Sequence, residues 1–329
     1  MTRHEHSPAF KTLQRIVIAV FIVLFLPSCA QRDEVHSAQV DSCPTVEILV
    51  GFGVGGGTDA FARALSAALE PTLGTDVQVI NIKSGGGISA YRELIRRPKD
   101  GCTMMALTSD YVVLALAQPK DIDLEALSYI ARAHTELGLL YGHGEEEEGW
   151  VGLANEAQGR DRPLLIGGVG ARSFDRMAVT LALSTSSMRY RYIPYNSSKQ
   201  AQADLLGGRL DAIYEEYGGG KPLTDAKLIR PIVAFSVGRL GVLPTVPTTG
   251  ELGLRTPPPI WRGLAVAKGV PSDIIEELRR AVREAMSSNS YKEYEKARAL
   301  NMIEGKAFGQ AFEKEVQTDL KAFGEVMGR

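Results

Sequence analysis

Val46-Glu-Ile-Leu-Val50 runs straight into Gly51-Phe-Gly-Val-Gly-Gly-Gly-Thr-Asp-Ala-Phe-Ala-Arg63: an apolar strand, a glycine cluster and the start of a helix. A glycine loop at such a junction bares backbone N–H groups at a helix N-terminus, where the helix dipole also favours negative charge, so the stretch reads as an anion cradle. Gly51, Gly53 and Gly56 satisfy G-x-G-x-x-G, the dinucleotide fingerprint. The acid that fingerprint needs at the end of the second strand is missing, because Val77-Gln-Val-Ile-Asn81 closes on asparagine. Gly51 to Thr58 also approaches the phosphate-loop pattern, with Gly57 where its lysine belongs. The loop therefore places an anion near a helix start and leaves open which anion.

Outward from this stretch the chain keeps alternating strand and helix. Asp59 is expected to cap the first helix, whose apolar positions 61, 64, 65, 68 and 69 share one face and which Pro71 and Gly74 end. Ser84-Gly-Gly-Gly87 opens a second helix, and Cys102-Thr-Met-Met-Ala-Leu-Thr108 is a third strand. Two consecutive βαβ units predict a parallel sheet with right-handed crossovers. Residues 129–141 read as strand and link, and the four glutamates 145–148 as a solvated loop or a first helical turn, ahead of a calcium site. Further on, 164–168, 189–193, 210–214, 230–236 and 261–267 read as strands, and 149–158, 174–183 and 200–206 as helices. The proline-rich stretch 243–259 reads as a connection between domains, and long amphipathic helices follow from Pro271. A third glycine-rich helix start, Gly167-Gly-Val-Gly-Ala-Arg-Ser-Phe-Asp175, stands in the second half. In open α/β sheets such loops sit at the carboxyl edge, so two sheets facing each other across these loops make a cleft.

The N-terminus points to export. Arg3, Lys11 and Arg15 precede an eleven-residue apolar run, Ile16 to Leu26, too short for the roughly 20 residues of a membrane span and typical of a signal peptide. Leu26-Pro-Ser-Cys29 resembles a bacterial lipoprotein box, with Cys29 lipidated; cleavage nearby by ordinary signal peptidase is the alternative. Removing residues 1–28 leaves 301 residues and, with Arg3, Lys11, Arg15 and Glu5 gone, takes the formal charge from −2 to −4. That balance gives no electrostatic footprint for nucleic acid. Of the three cysteines, Cys43 and Cys102 then remain in an oxidising compartment, just before the first and third strands. With a strand order of 2-1-3 they lie at the same end of adjacent strands, so a disulfide is favoured over two buried thiols.

Several further segments, in order, resemble the substrate-binding receptors of tripartite tricarboxylate transporters, the Bug-type family. The first loop is similar to the family's Pro-Phe-x-x-Gly-Gly-x-x-Asp, with Gly51 and Val54 in place of prolines. Asn81-Ile-Lys-Ser-Gly-Gly-Gly87, Asp100-Gly-Cys-Thr103, Pro194-Tyr-Asn-Ser197 and Ala203-Asp-Leu-Leu-Gly-Gly-Arg-Leu-Asp211 follow, then Leu243 to Gly253 and Trp261-Arg-Gly-Leu264. The resemblance covers nearly all of the mature chain. It implies a two-lobed periplasmic binding protein fold of α/β class, with the ligand cleft between lobes. Residues 44–134 and 245–329 would form lobe 1 and residues 135–244 lobe 2, after a signal peptide (1–28) and a polar linker (29–43).

The family implies a small organic acid as ligand, held by amides, hydroxyls and water, with no cofactor and no metal. Carried over, Val54, Gly55, Gly56, Gly57 and Thr58, with Gly85, Gly86 and Gly87, would offer N–H groups from one lobe. Thr108 and Ser109 would add hydroxyls, and the other lobe would bring Gly168, Gly170, Ser173, Tyr195 and Asn196. Arg172 is new beside the family's pattern; it would pair with a second ligand carboxylate or stay exposed near Asp175. Glu215 would accept a ligand ammonium or pair with Arg209 or Lys221, the structural role being favoured. Tyr195 is read as a cleft residue, with plain packing as the alternative. The implied partners are membrane permease subunits, or a sensor kinase if the chain is a signalling ectodomain, with a lipid anchor and a monomeric receptor.

An enzyme is the main rival. Of five histidines, His4, His6 and His36 fall in the signal or linker, leaving His134 and His143 as bases for Ser109 or Ser173. No H-E-x-x-H, Cys/His metal spacing or G-x-S-x-G elbow occurs, which weighs against catalysis.

Overall fold

The computed structural model describes residues 43–144 and 149–328. The signal peptide, Cys29, the linker up to Ser42 and Glu145 to Glu148 lie outside the described residues. In chain order the elements are β1 (Val46–Val50), α1 (Gly57–Leu73), β2 (Val77–Asn81), α2 (Ile88–Arg96), β3 (Thr103–Thr108), α3 (Ser109–Ala117), β4 (Leu127–Glu136) and β5 (Gly138–His143). Then come α4 (Gly149–Gly159), β6 (Leu164–Val169), α5 (Phe174–Leu183), β7 (Tyr190–Tyr195), α6 (Ser198–Leu206), β8 (Ala212–Glu216), α7 (Tyr217–Asp225) and β9 (Ile229–Ala234). The chain closes with β10 (Ile260–Ala267), α8 (Ser272–Ala285), α9 (Asn289–Ala297), β11 (Ala307–Phe308) and α10 (Gln310–Val326).

Two sheets result. The first has six strands in the order β11-β4-β10-β3-β1-β2 and the second five in the order β7-β6-β8-β5-β9. The 2-1-3 order at one end of the first sheet is the expected one, with β1 parallel to both neighbours. Strands β1 and β3 are mostly apolar, with Glu47, Thr103 and Thr108 as exceptions, because helices cover both faces of a parallel sheet. Cys43 and Cys102 are joined by a disulfide, with Cα atoms 5.7 Å apart.

Three sequence expectations are corrected. Asp59 is not the cap of α1: Gly56 takes that position, and Asp59 in the first turn reaches back to the Gly55 N–H (2.8 Å). Pro71 lies inside α1, whose last turn tolerates the lost N–H, and Gly74 ends it in the left-handed region at φ 66°. The stretch 129–141 is two strands in two sheets, with only Leu137 between them. Gly138 is the one breaker at the switch, with no proline or run of turn residues beside it, so the change of sheet leaves little trace in the sequence. A fourth addition is α7, whose Tyr217-Gly-Gly-Gly-Lys-Pro222 has some of the poorest helix formers and gives no helical signal.

The chain leaves the first sheet after β4, builds the second, and returns through the 235–259 connection to β10, which inserts antiparallel between β3 and β4. One apolar cluster runs from the first sheet into the second through Tyr111, Phe174, Tyr214, Trp261 and Phe323. Phe174 meets Phe323 edge-on with ring centres 5.7 Å apart. Helices α1 and α8 cover the outer face of the first sheet, α8 burying Ile274, Leu278, Ala281, Val282 and Ala285 on one stripe. Among the described residues no helix is long and apolar enough to cross a membrane.

Candidate functional site

Four helices start where parallel strands end: α1 after β1, α3 after β3, α5 after β6 and α7 after β8. Such starts leave N–H groups without intrahelical acceptors and carry the positive end of the dipole. Arg262 on β10 touches two of these starts, those of α1 and α7, one from each sheet. Its side chain is buried and pairs with Glu136 at the end of β4. Nη2 also lies 3.2 Å from Glu216, which precedes α7 in the other sheet, and Nε lies 3.4 Å from Thr58 Oγ1 in α1. Burial pulls this arginine down to about 10, so it stays charged at neutral pH. A buried guanidinium needs such partners, since an unpaired one would cost several kcal/mol.

The acids around it already occupy amides. Asp59 accepts from Gly55; Asp110 Oδ1 accepts the Phe174 N–H across the two sheets (2.9 Å); Asp175 accepts the Val169 N–H (2.8 Å). Burial would raise Asp59, but hydrogen bonds from Arg63, Gly55 and Asn81 outweigh it and leave the carboxyl below its ordinary value. Asn81, standing where a nucleotide fold keeps an acid, instead pins the loop by donating to Asp59 (3.0 Å) and to Phe52 O (3.1 Å). Burial pushes Asp110 up, partly offset by its hydrogen bonds from Phe174 and Thr108. Asp175 is held well above the carboxylate range by desolvation and then by the charges of Glu216 and Asp110. Behind Glu136, His134 lies 3.3 Å from its carboxylate and 3.4 Å from the Tyr291 hydroxyl, and burial keeps the imidazole neutral.

The expected site residues fall into distinct surroundings. Val54 is 74% exposed and Gly55 and Gly56 are exposed with it, but the Gly55 and Gly56 N–H groups are spent inside the loop, the latter on Gly53 O (3.3 Å). Gly57 lies flush on Arg262, where a Cβ would overlap Nη2, and Thr58 is buried beside it. Gly85 and Gly86 are exposed at positive φ, and the Gly87 carbonyl accepts the Tyr111 hydroxyl (3.2 Å). Thr108 caps α3 by accepting from the Asp110 N–H (3.1 Å), and the fully buried Ser109 hydroxyl accepts the Trp261 N–H (3.0 Å).

In the second sheet Gly168 packs under the Tyr192 ring, and Gly170 donates its N–H to Tyr195 O (2.9 Å). Ser173 caps α5 by accepting from the Arg176 N–H (3.3 Å), while Arg172 and Asn196 are exposed. The Tyr195 hydroxyl donates to Asp204 of α6 (2.8 Å). Glu215 is buried and accepts from Gln202 (3.0 Å) and from the Glu216 N–H (3.1 Å). Its pairing with Arg209 or Lys221 is not made: those cations hold Asp204 and Asp225. Burial, then the charge of Glu216, holds Glu215 well above the carboxylate range.

Sequence reasoning does not single out Arg262, Glu136, Asp110 or Glu216. The signal for Arg262 was present: one charged residue inside the apolar strand Ile260-Trp-Arg-Gly-Leu-Ala-Val-Ala267 must find a buried partner. Among the described residues no cluster of three His, Cys, Asp or Glu is arranged to hold a metal ion.

Comparison with known proteins agrees with this architecture. A UPF0065 protein from the tcbD–tcbE intergenic region of Pseudomonas sp. strain P51 is 26% identical over 260 residues, 77% of each chain. Two Rhodopseudomonas palustris structures, MatC with bound malate and Rpa4515 with adipate, superpose with a TM-score of 0.73 each. They are 20% and 22% identical and cover 86% of this chain and 98% and 97% of their own. At that identity they speak for the fold, a pair of α/β lobes. The family described as "Tripartite tricarboxylate transporter family receptor" matches residues 61–328, and this chain belongs to it.

Proposed function

We propose that the protein captures a small organic carboxylate between two lobes outside the cytoplasm and delivers it to the permease of a tripartite tricarboxylate-type transporter. The carrying observation is the meeting of helix starts from both sheets around Arg262, in a member of this receptor family. Lobe 1 would be 44–134 with 245–329, carried on through Glu136 to the end of β4, and lobe 2 the remainder to 244, and their relative closure would tell the partner whether ligand is bound. The ligand would be met by the loops 54–58 and 85–87 and by 168–173 with Tyr195 and Asn196, while Thr108, Ser109 and Glu215, whose side chains bond Asp110, Trp261 and Gln202, would frame the site from behind. Malate and adipate in the R. palustris neighbours support dicarboxylates as the first acids to try. A leader of residues 1–28 ahead of a lipidated Cys29 supports a lipid-anchored periplasmic protein.

A thermal-shift screen over malate, adipate, citrate, benzoate and amino acids tests this. A ligand at one hundred times its Kd adds about 2.7 kcal/mol to stability, a readily seen rise in Tm. No shift with any acid, alongside a shift with a sugar or nucleotide, would sink the reading.

A further inference from the structure

We propose that Arg262 is a positioning residue that ties the first glycine loop to the second lobe through Glu216 and so sets how far the lobes stand closed. The proposal rests on the receptor reading for its biological use, while its test does not require a ligand. Arg262 sits on β10, the strand that brings the chain back from the second sheet, and three segments converge on its one guanidinium. Glu136 belongs to the neighbouring strand of the same sheet, so that ion pair moves with Arg262 as one body. Glu216 belongs to the second sheet and is the more exposed partner, with 16% of its side chain accessible against 4% for Glu136. A purely structural neutralisation of the arginine would need Glu136 alone; the Glu216 contact is the one that can break while the charge stays paired.

Its surroundings make that contact informative. Gly57 leaves no room between the loop backbone and Nη2, so a shift of the guanidinium is felt at once by Gly57 and Thr58. On the other side Glu216 immediately precedes α7, whose Tyr217 N–H donates to Leu137 O (2.9 Å) at the crossover between sheets. A Cβ at Gly218 would run into the Arg298 carbonyl of the first lobe, so this glycine turn lies close against the α9 end. The groups facing Arg262 are thus Glu136, Glu216 and Thr58 in contact, with Asp110 and Arg298 nearby as ionisable groups and Tyr291 and Tyr294 as neutral phenols.

The test compares E216Q with E136Q and the unsubstituted protein, with no acid added, by residue-resolved hydrogen exchange and small-angle scattering. A hydrogen bond to a charged group is worth enough that its loss speeds local opening about 10- to 100-fold. In E216Q that acceleration is expected at 217–220 and 57–60, with a larger radius of gyration and little change in the rest of both sheets. E136Q is expected to lower Tm more and to speed exchange along β4. An E216Q profile within twofold of the unsubstituted protein at both segments, or raised equally throughout, overturns the proposal. R262K, which keeps the charge but loses the planar fork, carries the same comparison should E216Q not fold. Titration with malate and adipate is run separately: their failure to bind the unsubstituted protein counts against the receptor reading, while the exchange result still decides the role of Arg262.

Discussion

Replacing Asp319 with asparagine is expected to stabilise the protein at neutral pH. Asp319 on α10 is buried and its carboxylate accepts the Trp261 indole N–H at 2.7 Å. Burial raises the carboxyl from 3.8 to about 6, only partly countered by that hydrogen bond and by Arg132. Between those two values the folded protein keeps a proton that the unfolded chain has lost, so stability falls as pH rises through the window. The shift of about 2 units at 1.36 kcal/mol each means a destabilisation of about 3 kcal/mol, complete above pH ~7 and absent below pH ~3.8. Asparagine keeps an oxygen for Trp261 and never ionises. Urea unfolding of D319N and the unsubstituted protein at pH 4 and pH 7.5 should therefore give nearly equal stabilities in acid and a gain of about 1–3 kcal/mol for D319N at pH 7.5. A difference that does not change with pH, or a D319N protein weaker at pH 7.5, would refute the reasoning.

Two other perturbations probe the frame that holds the site. Replacing both Cys43 and Cys102 with alanine opens a loop of 59 residues, for which chain entropy gives about 4 kcal/mol; denaturant midpoints of the oxidised protein and the variant measure it. A loss under about 1 kcal/mol would show that the cross-link constrains little beyond what β1–β3 pairing already fixes. Ser109→Ala strands the buried Trp261 N–H and should cost about 1–3 kcal/mol in the same assay, whereas Ser109→Cys, which keeps a weak acceptor, should cost less.

The chemistry of the fold was legible wherever one residue determines one local event. Gly51 to Gly57 announced the strand–loop–helix junction, and the 2-1-3 strand order expected of two βαβ units made Cys43 and Cys102 neighbours, as their disulfide now displays. The switch of sheet at Leu137 was hidden because Gly138 alone marks it, without a proline or a run of turn residues, and α7 was hidden because tertiary packing overrides three glycines and a proline. In the site, the glycine loops could be placed at strand ends, but not the fate of their amides. Whether the Gly55 N–H faces solvent or Asp59 is decided by a side chain four residues on, and the Phe174 N–H meets Asp110, 64 residues away. Arg262 was the most readable omission, since a lone charge in an apolar strand already implies the buried acids that turn out to be Glu136 and Glu216.

The place of β10 in the first sheet has a consequence for how the chain becomes a protein. Strands β3 and β4 are not neighbours; each pairs with β10, and the Trp261 N–H reaches Ser109 across 152 residues of sequence. Until residues 260–267 arrive, β3 and β4 present two open edges, and the whole second lobe must be threaded before they can be closed. The first sheet therefore cannot be completed until the residues that follow the second lobe are in place, a long-range pairing that costs loop-closure entropy. An N-terminal fragment that stops before Ile260 has exposed strand edges where the complete chain has the middle of a sheet.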